Sequence, residues 1–389
     1  MSVETRELYY ITHIDNLPSI LKRGIFSHEN IEVKGLKYTP IYDKEIISRR
    51  KEKTVPKGRS LWSFANLYFN PRNPMLYRLR CEGLLDDLVV LGVSRAILEY
   101  PNILVTTGNA ATEAAEILPP SKPVITQIVK ETDREWWYLH DGSKRKIMAE
   151  CLVPDLVPAE YIKSIYTPSY DSVQKILALE DIPAPTKHQV IHEPYMFFNP
   201  SKQVNLTDNL SLMLGDMFFS RMHTLTVSVN TVKVMGKGVA SRAKYQFPDV
   251  YVEYQEACRS RRLKMGKPVL YKRETSIDLE LADEPSSLKK ANLETWFLLF
   301  ATKRDWRDRA DINGIEKGLQ WLVKKYDSEG IRSLAIPALG CGLGRLEWRN
   351  VGPLLVKYLS TLDIPVSIYL PVERKISDKL LTKDFLLSR

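Results

Sequence analysis

The second half of the chain alternates short apolar runs with segments whose apolar positions follow a helical repeat. Continuous apolar runs of about four to eight residues are typical of strands buried on both faces of a parallel sheet. The predicted strands contain LSLML, TLTVSV, TWFLLFA, SLAIPAL and VSIYLP, and the predicted helices contain GVASRAKYQF, INGIEKGLQWLVKKYDSEG and GPLLVKYLSTL. This alternation predicts a three-layer α/β/α domain.

The first half mixes short β-rich runs and amphipathic segments without a regular alternation, which predicts an α+β domain. The predicted strands contain YYITHI, LVVLGVS, YPNILVTT, RKIMAECLVP, EYIKSIYTP and VIHEPYMFF, and the predicted helices contain DNLPSILKRGI and YDSVQKILALE. Stretches rich in Pro, Asn or Ser at 181–189 and 197–205 are candidate boundaries. Because VIHEPYMFF is kept with the first half, we predict domains at 1–198 and 205–389, joined by a linker at 199–204.

A chain of 389 residues is long enough for two domains, each with its own core. It contains neither an apolar run of membrane-spanning length nor an N-terminal signal-peptide pattern. The four cysteines, Cys81, Cys151, Cys258 and Cys341, lack the spacing of a zinc site and are typical of free thiols in a reducing compartment. We therefore expect a cytoplasmic protein with no metal cofactor.

The net charge of +9 is distributed unevenly. The first 198 residues carry 25 basic and 25 acidic side chains, so the excess positive charge lies in the second half. Such an asymmetry indicates either a polyanionic partner, above all nucleic acid, or a solubilising surface. Charge alone does not distinguish these two interpretations.

Two glycine-rich segments follow predicted strands in the second half: MGKGVA at 235–240 and GCGLG at 340–344. Glycine is costly to order, by roughly 0.5–1 kcal/mol in an element interior, so a cluster of glycines asks for a functional reason. Backbone N–H groups at a helix N-terminus favour phosphate, and two such loops could hold a diphosphate. In parallel sheets, ligands bind where the strands end, which is where both loops lie.

The segments LGDMF, VSVNTVKVMGKGVASRAKYQFP and ALGCGLGRLEW resemble the macrodomains, which bind ADP-ribose. Within that family the chain is most similar to the DarG antitoxins and to terminal ADP-ribose protein glycohydrolase, over about residues 205–370. The resemblance implies that Asp216 accepts from the adenine amine. The other implied ADP-ribose-binding residues are Met217, Asn230, Gly236, Lys237, Gly238, Val239, Gly340, Cys341, Gly342, Leu343 and Gly344.

The same resemblance assigns Lys303, in FATKRDW, as the amine that attacks the anomeric carbon of the ribose. An amine kept partly neutral by a closed pocket can act as a nucleophile. We expect the neighbouring Arg304 to lower the pKa of Lys303 by charge repulsion. The human relative has an aspartate where this chain has Gly344, so base assistance from that position is not expected here. Spacing alone favours a solvated lysine at a strand end, and only the resemblance reverses that interpretation.

The segments ITHIDNL, NPMLY, GNAA and AECLVP resemble the DarT toxins, over about residues 8–198. DarT enzymes transfer ADP-ribose from NAD to a base in single-stranded DNA. The resemblance implies that Glu150 and Arg50 are catalytic. It places Tyr10, His13, Asn16 and also Arg50 in the NAD site. Tyr10 stands where many DarT sequences have histidine.

The first half also offers residues for contact with DNA. Aromatic side chains interleaved with arginine in NLYFNPRNPMLYRL could stack on bases and bind phosphates, although most of these aromatics are equally typical of a core. From the resemblance and this pattern we take Arg72, Tyr77 and Asn109 as candidate DNA contacts.

The sequence therefore predicts a fused toxin and antitoxin. An α+β ADP-ribosyltransferase-like domain modifies a base in single-stranded DNA, and an α/β macrodomain removes the ADP-ribose. NAD is the donor substrate, and the antitoxin is supplied in the same chain. Two alternatives remain open at this point. One is an ADP-ribose-binding protein with an inactive transferase scaffold, and the other is an eraser of ADP-ribose linked to protein.

Overall fold

A computed structural model describes residues 7–42, 44–56, 58–179, 189–371 and 374–387. The chain divides into two compact units. The first comprises Met1–Phe197 together with Leu281–Lys290, and the second comprises Phe198–Glu280 and Ala291–Arg389. The division falls within one residue of the predicted end of the first domain, but the return of Leu281–Lys290 to the first unit has no signal in the sequence. Of the candidate boundary at 181–189, residues 181–188 lie outside the described residues.

The first unit is built on an eight-stranded sheet in the order β10-β9-β4-β1-β3-β7-β5-β6, beside a small β2-β8 pair. Neighbouring strands are antiparallel except β10 and β9, so the predicted α+β class is confirmed. Its strands are β1 (Glu7–His13), β2 (Ile25–Phe26), β3 (Phe64–Tyr68), β4 (Leu88–Ser94), β5 (Leu104–Thr106), β6 (Ile117–Leu118), β7 (Glu150–Pro154), β8 (Leu156–Val157), β9 (Ile162–Thr167) and β10 (Val190–His192).

Helices complete the first unit. The helices are α1 (Leu17–Arg23), α2 (His28–Val33), α3 (Lys44–Glu52), α4 (Pro74–Cys81), α5 (Lys122–Thr132), α6 (Ser143–Lys146) and α7 (Tyr170–Leu177). The end of α1 shows why its sequence stops there. Gly24 has φ +93°, and a Cβ at this position would lie 2.3 Å from the carbonyl oxygen of Val157. Only glycine fits both the conformation and the space.

The second unit contains a seven-stranded sheet in the order β11-β12-β17-β16-β13-β15-β14. The five inner strands run parallel and the two edge strands run antiparallel. Parallel strands need covering helices on both faces, in agreement with the predicted α/β class. The strands are β11 (Lys202–Asn205), β12 (Leu210–Leu214), β13 (Thr224–Val229), β14 (Val269–Tyr271), β15 (Trp296–Ala301), β16 (Leu334–Pro337) and β17 (Val366–Tyr369).

The helices of the second unit are α8 (Gly238–Gln246), α9 (Pro248–Arg259), α10 (Ile277–Leu281), α11 (Ile312–Glu329), α12 (Trp348–Leu359) and α13 (Lys383–Leu387). The apolar faces of α11 and α12 pack in one buried cluster with β12, β16 and β17. This packing fixes the C-terminal ends of the parallel strands, where the two glycine loops begin.

Two features differ from the sequence-based expectation. Residues 202–205 form β11 instead of a linker, because their backbone pairs with β12. The segment VIHEPYMFF is a strand only at Val190–His192 and then turns into a 3₁₀ helix at Pro194–Phe197. Among the described helices, none combines the length and apolarity needed to cross a membrane.

Candidate functional site

Glu150 forms a buried ion pair with Arg50 in the first unit. The Glu150 side chain is fully buried and that of Arg50 is 11% exposed. The two guanidinium nitrogens of Arg50 donate to the two carboxylate oxygens, at 2.9 Å to Oε2 and 3.4 Å to Oε1. Burial by itself acts to lower the pKa of Arg50, but the adjacent carboxylate of Glu150 outweighs it, so that this pKa is raised. Arg50 therefore remains a cation where it holds the Glu150 carboxylate.

The backbone around Glu150 fixes its carboxylate in place. Glu150 begins β7, and its N–H donates to Thr106 Oγ1 at 2.8 Å. The N–H of Ala110 donates to Glu150 Oε1 at 2.9 Å. The apolar neighbours of Glu150 in sequence suggest a site that disfavours a charge, but these donors stabilise the carboxylate instead. Sequence spacing gives no signal for them, since they come from a distant loop.

A cleft lies close to this pair. Its wall includes Tyr10, Asn16, His28 and Tyr68. In the sheet, Tyr68 of β3 is the register partner of Glu150 of β7, so one wall of the cleft adjoins the buried carboxylate. The structure thus brings three of the residues predicted from sequence (Tyr10, Asn16 and Glu150) to one region.

The predicted NAD-site residues have different environments. The side-chain amide of Asn16 holds the backbone of Thr39 at both its N–H (2.8 Å) and its carbonyl (2.9 Å), which fixes the loop that lines the cleft. Burial, followed by the charge of Tyr38, raises the pKa of Tyr10 to about 12, so its hydroxyl stays protonated. His13 is not among the cleft-lining residues, and its Nδ1 accepts from the N–H of Asp15 at 3.2 Å.

His28 is a cleft residue that the sequence analysis missed. Its ring stacks on Trp62, with centroids 4.4 Å apart and an interplanar angle of 17°. Burial, together with the positive charge of Arg50, lowers the pKa of His28 to about 4. At neutral pH the cleft therefore presents an uncharged imidazole. A lone histidine at the start of a short helix gives no sequence signal of this environment.

Two of the three predicted DNA contacts are interior residues, and that prediction is wrong for them. Tyr77 is fully buried and packs edge-on against Trp137. Arg72 is 6% exposed, and its guanidinium lies 4.0 Å from the ring centroid of Tyr195 while it donates to the carbonyl of that residue. Their alternation of aromatic and basic side chains thus belongs to core packing. Asn109 is half-buried in the loop whose Ala110 N–H binds the Glu150 carboxylate, and its Oδ1 accepts from the N–H of Ala111 at 2.9 Å.

In the second unit, both glycine loops lie at the C-terminal ends of inner strands. The first loop leads into α8, whose N-terminal residue, Gly238, has φ +61°. Lys237 stands at the N-cap position, and no side chain there caps the helix. Gly236 and Lys237 are exposed and Val239 is half-buried. The first N–H groups of α8 and the helix dipole together favour an anion.

The second loop is closely packed against the core. Gly340 has φ +77°, and a Cβ at Gly344 would lie 2.6 Å from the Gly340 carbonyl oxygen. Burial raises the pKa of the Cys341 thiol to about 12, so it is a neutral core group. Gly342 is half-buried, whereas the Leu343 side chain is 53% exposed. This backbone path requires glycine at 344 and gives a steric reason for the absence of an aspartate there.

Lys303 follows β15 and lies against the second glycine loop. Its Nζ donates to the carbonyls of Asp308 at 3.0 Å, Leu343 at 3.4 Å and Trp306 at 3.5 Å. The pKa of Lys303 is lowered, first by burial and then by the positive charge of Arg345, while Asp308 opposes the shift. The cation involved is therefore Arg345 of the loop, and not the expected sequence neighbour Arg304. A lowered pKa makes more of the free amine available.

Asp216 and Asn230 are both bonded within the unit. Asp216 caps a 3₁₀ turn through Oδ1, which accepts from the N–H of Phe218 at 3.0 Å, and its Oδ2 forms an ion pair with Arg242. Asn230 donates to the Val234 carbonyl and accepts at 2.8 Å from the hydroxyl of Tyr254. Met217 is buried beside Asp216. These contacts shape the loops predicted to bind ADP-ribose. Among the described residues, no group of three acidic, histidine or cysteine side chains is placed to hold a metal ion.

Comparison with known proteins agrees with this division of the chain. Residues 9–198 match the family model described as "ssDNA thymidine ADP-ribosyltransferase, DarT". A DNA ADP-ribosyl glycohydrolase of Thermus aquaticus is 33% identical over 165 residues, which covers 42% of each chain. These two likenesses concern single domains.

Two further likenesses span both units. The chain is 54% identical over 387 residues to a DNA ADP-ribosyl transferase-DNA ADP-ribosyl glycohydrolase fusion protein of Thermosipho africanus, covering 98% of both proteins. The solved structure of Thermosipho africanus DarTG in complex with ADP-ribose superposes with a TM-score of 0.91 at 52% identity, over 98% of this chain and all of that one. A buried Glu–Arg pair in one unit, a lysine beside a glycine loop in the other, and identity along nearly the whole length lead to one conclusion: the chain belongs to the family of DNA ADP-ribosyl transferase–DNA ADP-ribosyl glycohydrolase fusion proteins.

Proposed function

We propose that the first unit transfers ADP-ribose from NAD to thymidine in single-stranded DNA, with Glu150 and Arg50 as its catalytic residues, and that the second unit removes it with Lys303. The observation that carries the transferase assignment is the doubly bonded Glu150–Arg50 pair, whose fully buried Glu150 lies beside Tyr68 of the cleft wall in the sheet. The choice of thymidine rests on the description of the matching family.

Departure of nicotinamide leaves positive charge on the ribose, and a fixed carboxylate stabilises that charge without reorganising. Glu150 suits this role because Arg50 and the Ala110 N–H hold both of its oxygens. The same carboxylate can accept the proton that the attacking base nitrogen loses. Arg50 fixes the carboxylate and adds a cation for the phosphates of NAD. The neutral imidazole of His28 adds a flat aromatic surface to the cleft.

Removal of ADP-ribose begins when the free amine of Lys303 attacks the anomeric carbon, and the bond from that carbon to the base breaks. The base takes up a proton, and water later releases the ribose from the lysine. The three carbonyls around Nζ orient the amine toward the GCGLG loop. The uncapped start of α8 and the second glycine loop supply N–H groups for the diphosphate.

The test uses the full chain with Lys303→Ala, mixed with NAD and single-stranded oligonucleotides that either contain or lack thymidine. We expect the mass of the thymidine oligonucleotide to increase by one ADP-ribose. Glu150→Ala in the same background should abolish the increase. Modification of thymidine-free strands would contradict the base assignment, and modification by the Glu150→Ala variant would contradict the role of this carboxylate.

The modified oligonucleotide then serves as substrate for the eraser. The Glu150→Ala chain, which retains Lys303, should restore the original mass, whereas the Glu150→Ala, Lys303→Ala chain should not. Equal restoration by both chains would show that a group other than Lys303 performs the reaction. Restoration by neither would leave the second unit as a binding domain.

A further inference from the structure

An exposed tryptophan lies next to the proposed nucleophile of the second unit. Trp306 is 52% exposed, whereas the other six tryptophans are buried or half-buried. It belongs to the segment KRDWRDR, residues 303–309, between β15 and α11. Large aromatic side chains are rarely left in water without a partner, and such exposure points to a binding surface.

Two neighbours extend this surface. The guanidinium of Arg307 lies 4.8 Å from the ring centroid of Trp306. The side chain of Leu343, in the second glycine loop, is 53% exposed. The carbonyls of Trp306 and Leu343 both accept from Lys303 Nζ, at 3.5 and 3.4 Å, so the backbones of both residues lie next to one amine. We call Trp306, Arg307, Leu343 and Arg345 the Trp306 face.

The charge of this region favours a polyanion. Residues 303–309 contain four basic side chains and two acidic ones, and Arg345 adds another exposed cation from the glycine loop. The two acidic side chains are engaged in the loop itself. Asp308 Oδ2 accepts from the N–H of Asp305, and Asp305 Oδ1 accepts from the N–H of Arg307, both at 3.0 Å. Each of these carboxylates therefore has one oxygen bound to the backbone of the loop.

The loop is anchored at both ends, which makes it a fixed platform. The carbonyl of Arg304 accepts from the N–H of Thr231 at 3.0 Å and from its hydroxyl at 3.1 Å. At the other end, the N–H of Ala310 donates to the Gly344 carbonyl at 3.0 Å. A flat ring held by a braced loop loses little conformational entropy when a second ring stacks on it.

We propose that the Trp306 face binds the DNA strand that carries the ADP-ribosylated base. A nucleobase next to the modified one stacks on the indole of Trp306, and Arg307 and Arg345 bind the neighbouring phosphates. Aromatic rings interleaved with cations are the common means of binding single strands, because every base offers a flat face. The Trp306 face thereby makes the second unit prefer ADP-ribose on a DNA strand to ADP-ribose on a single nucleoside or on a protein. The proposal rests on the assignment of Lys303 as the nucleophile.

The experiment compares two substrates in the full chain carrying Glu150→Ala, so that no ADP-ribose is added back. One substrate is an ADP-ribosylated oligonucleotide, and the other is the ADP-ribosylated nucleoside obtained from it by nuclease digestion. Trp306→Ala should lower kcat/KM for the oligonucleotide by roughly tenfold to a hundredfold, the range for loss of one stacked base. The nucleoside should react at an unchanged rate, and Trp306→Phe should recover most of the loss.

Tyr245→Ala is the matched control. Tyr245 is 57% exposed and also has a cation over its ring, Lys244 at 5.2 Å, but it lies at the C-terminal end of α8. We expect this variant to treat both substrates like the parent. If Trp306→Ala lowers kcat/KM equally on the two substrates, the effect on Lys303 is merely structural and the proposal is overturned. An unchanged kcat/KM on the oligonucleotide would also overturn it.

A binding measurement separates this proposal from the catalytic assignment. In the Glu150→Ala, Lys303→Ala chain, Trp306→Ala should weaken binding of the ADP-ribosylated oligonucleotide by the same factor and leave the affinity for free ADP-ribose unchanged. If the Glu150→Ala chain fails to remove ADP-ribose, but Trp306→Ala still weakens binding of the oligonucleotide and not of free ADP-ribose, the role of Lys303 fails and the strand-binding surface stands. If the difference is absent, the strand-binding proposal fails.

Discussion

At the residue scale, charged neighbours act on the proposed catalytic groups. The neighbour of Glu150 has the opposite charge, and the neighbour of Lys303 has the same charge. Glu150 is held by Arg50, and Lys303 is made less basic by burial and by Arg345. Each neighbour lies far away in sequence, about a hundred residues before Glu150 and about forty after Lys303. Because the Glu150–Arg50 pair is buried, substitutions there test the chemistry and also cost stability.

Glu150→Gln, in a Lys303→Ala background, should lower the transferase rate by about 10²- to 10⁴-fold, because an amide can neither stabilise the ribosyl cation nor take a proton. The rate is measured as ADP-ribosylated oligonucleotide formed over time. Asp155→Asn is the control, since this exposed carboxylate pairs only with the exposed Arg59. Similar losses in both variants would argue that general destabilisation is responsible.

Arg345→Gln should shift the pH profile of the eraser toward alkaline pH. The positive charge of Arg345 lowers the pKa of Lys303, so its removal raises that pKa, and a higher pH is then needed to produce the free amine. The profile is measured as kcat with saturating ADP-ribosylated nucleoside. Arg309→Gln provides a control arginine that does not contribute to the shift. An unshifted profile in Arg345→Gln would contradict this electrostatic coupling.

At the element scale, loops and short segments bring the site groups together. The GCGLG loop folds back so closely that residue 344 has no room for a side chain. The segment Leu281–Lys290 joins the first unit through a buried ion pair, in which Arg78 Nε lies 2.9 Å from Asp283 Oδ1. The first is a backbone arrangement and the second is a side-chain ion pair, and the disruption of either is felt over a whole element.

Gly344→Asp should not supply a catalytic base to this chain. Its Cβ would lie 2.6 Å from the Gly340 carbonyl oxygen and 2.8 Å from the Ala310 Cβ, so the loop must move. We expect a loss of stability of about 1–3 kcal/mol, typical of overpacking, and weaker ADP-ribose binding. Thermal unfolding and calorimetry check these effects. Gly236→Ala is the stability control, because its nearest atom would be at an ordinary 3.8 Å. Faster removal of ADP-ribose by Gly344→Asp would refute the steric argument.

Asp283→Ala should loosen α4, where the side chains of Arg78 and Asp283 are only 6% and 8% exposed. Removal of one partner leaves a buried charge unpaired, at a cost of about 3–5 kcal/mol. Hydrogen exchange of the α4 amides should accelerate accordingly. Glu284→Ala is the control, since its partner Arg49 is half exposed and such a pair contributes about 0–1 kcal/mol. Equal exchange in the two variants would contradict the distinction.

At the scale of the whole molecule, one chain carries a DNA-modifying activity and the activity that reverses it. Because both belong to one chain, the two are always produced in equal amounts. The excess positive charge lies in the second half, the part that must hold modified DNA.

Expression of the Lys303→Ala chain in bacteria should therefore arrest growth, because ADP-ribose accumulates on DNA. Growth curves and detection of ADP-ribose on purified genomic DNA measure the effect. Glu150→Ala should restore growth in the double variant. Normal growth with unmodified DNA in the single variant would contradict the opposed activities, and continued arrest in the double variant would contradict the role of Glu150.

The sequence by itself determined the class of each unit and part of its elements; the inner strand β3 and helices such as α4 and α9 were not predicted. Continuous apolar runs and helix ends such as Gly24 are short-range patterns along the chain. The structure contains the elements predicted from these patterns nearly where they were expected. The glycine loops could be predicted for the same reason, since several glycines in a few residues carry a local backbone requirement. Local patterns gave no sign of β11 or β14, edge strands stabilised by pairing with a neighbour.

Only the tertiary structure decided which side chains meet. It paired Glu150 with Arg50, made Arg345 and not Arg304 the cation that acts on Lys303, and buried Arg72 and Tyr77, whose pattern suggested a surface. It also left Trp306 exposed beside Lys303, which no pattern of alternating residues reveals. The physical reason is common to all four. Burial and electrostatic coupling depend on distances between atoms that the chain brings together from far apart, whereas periodicity reports only on neighbours along it.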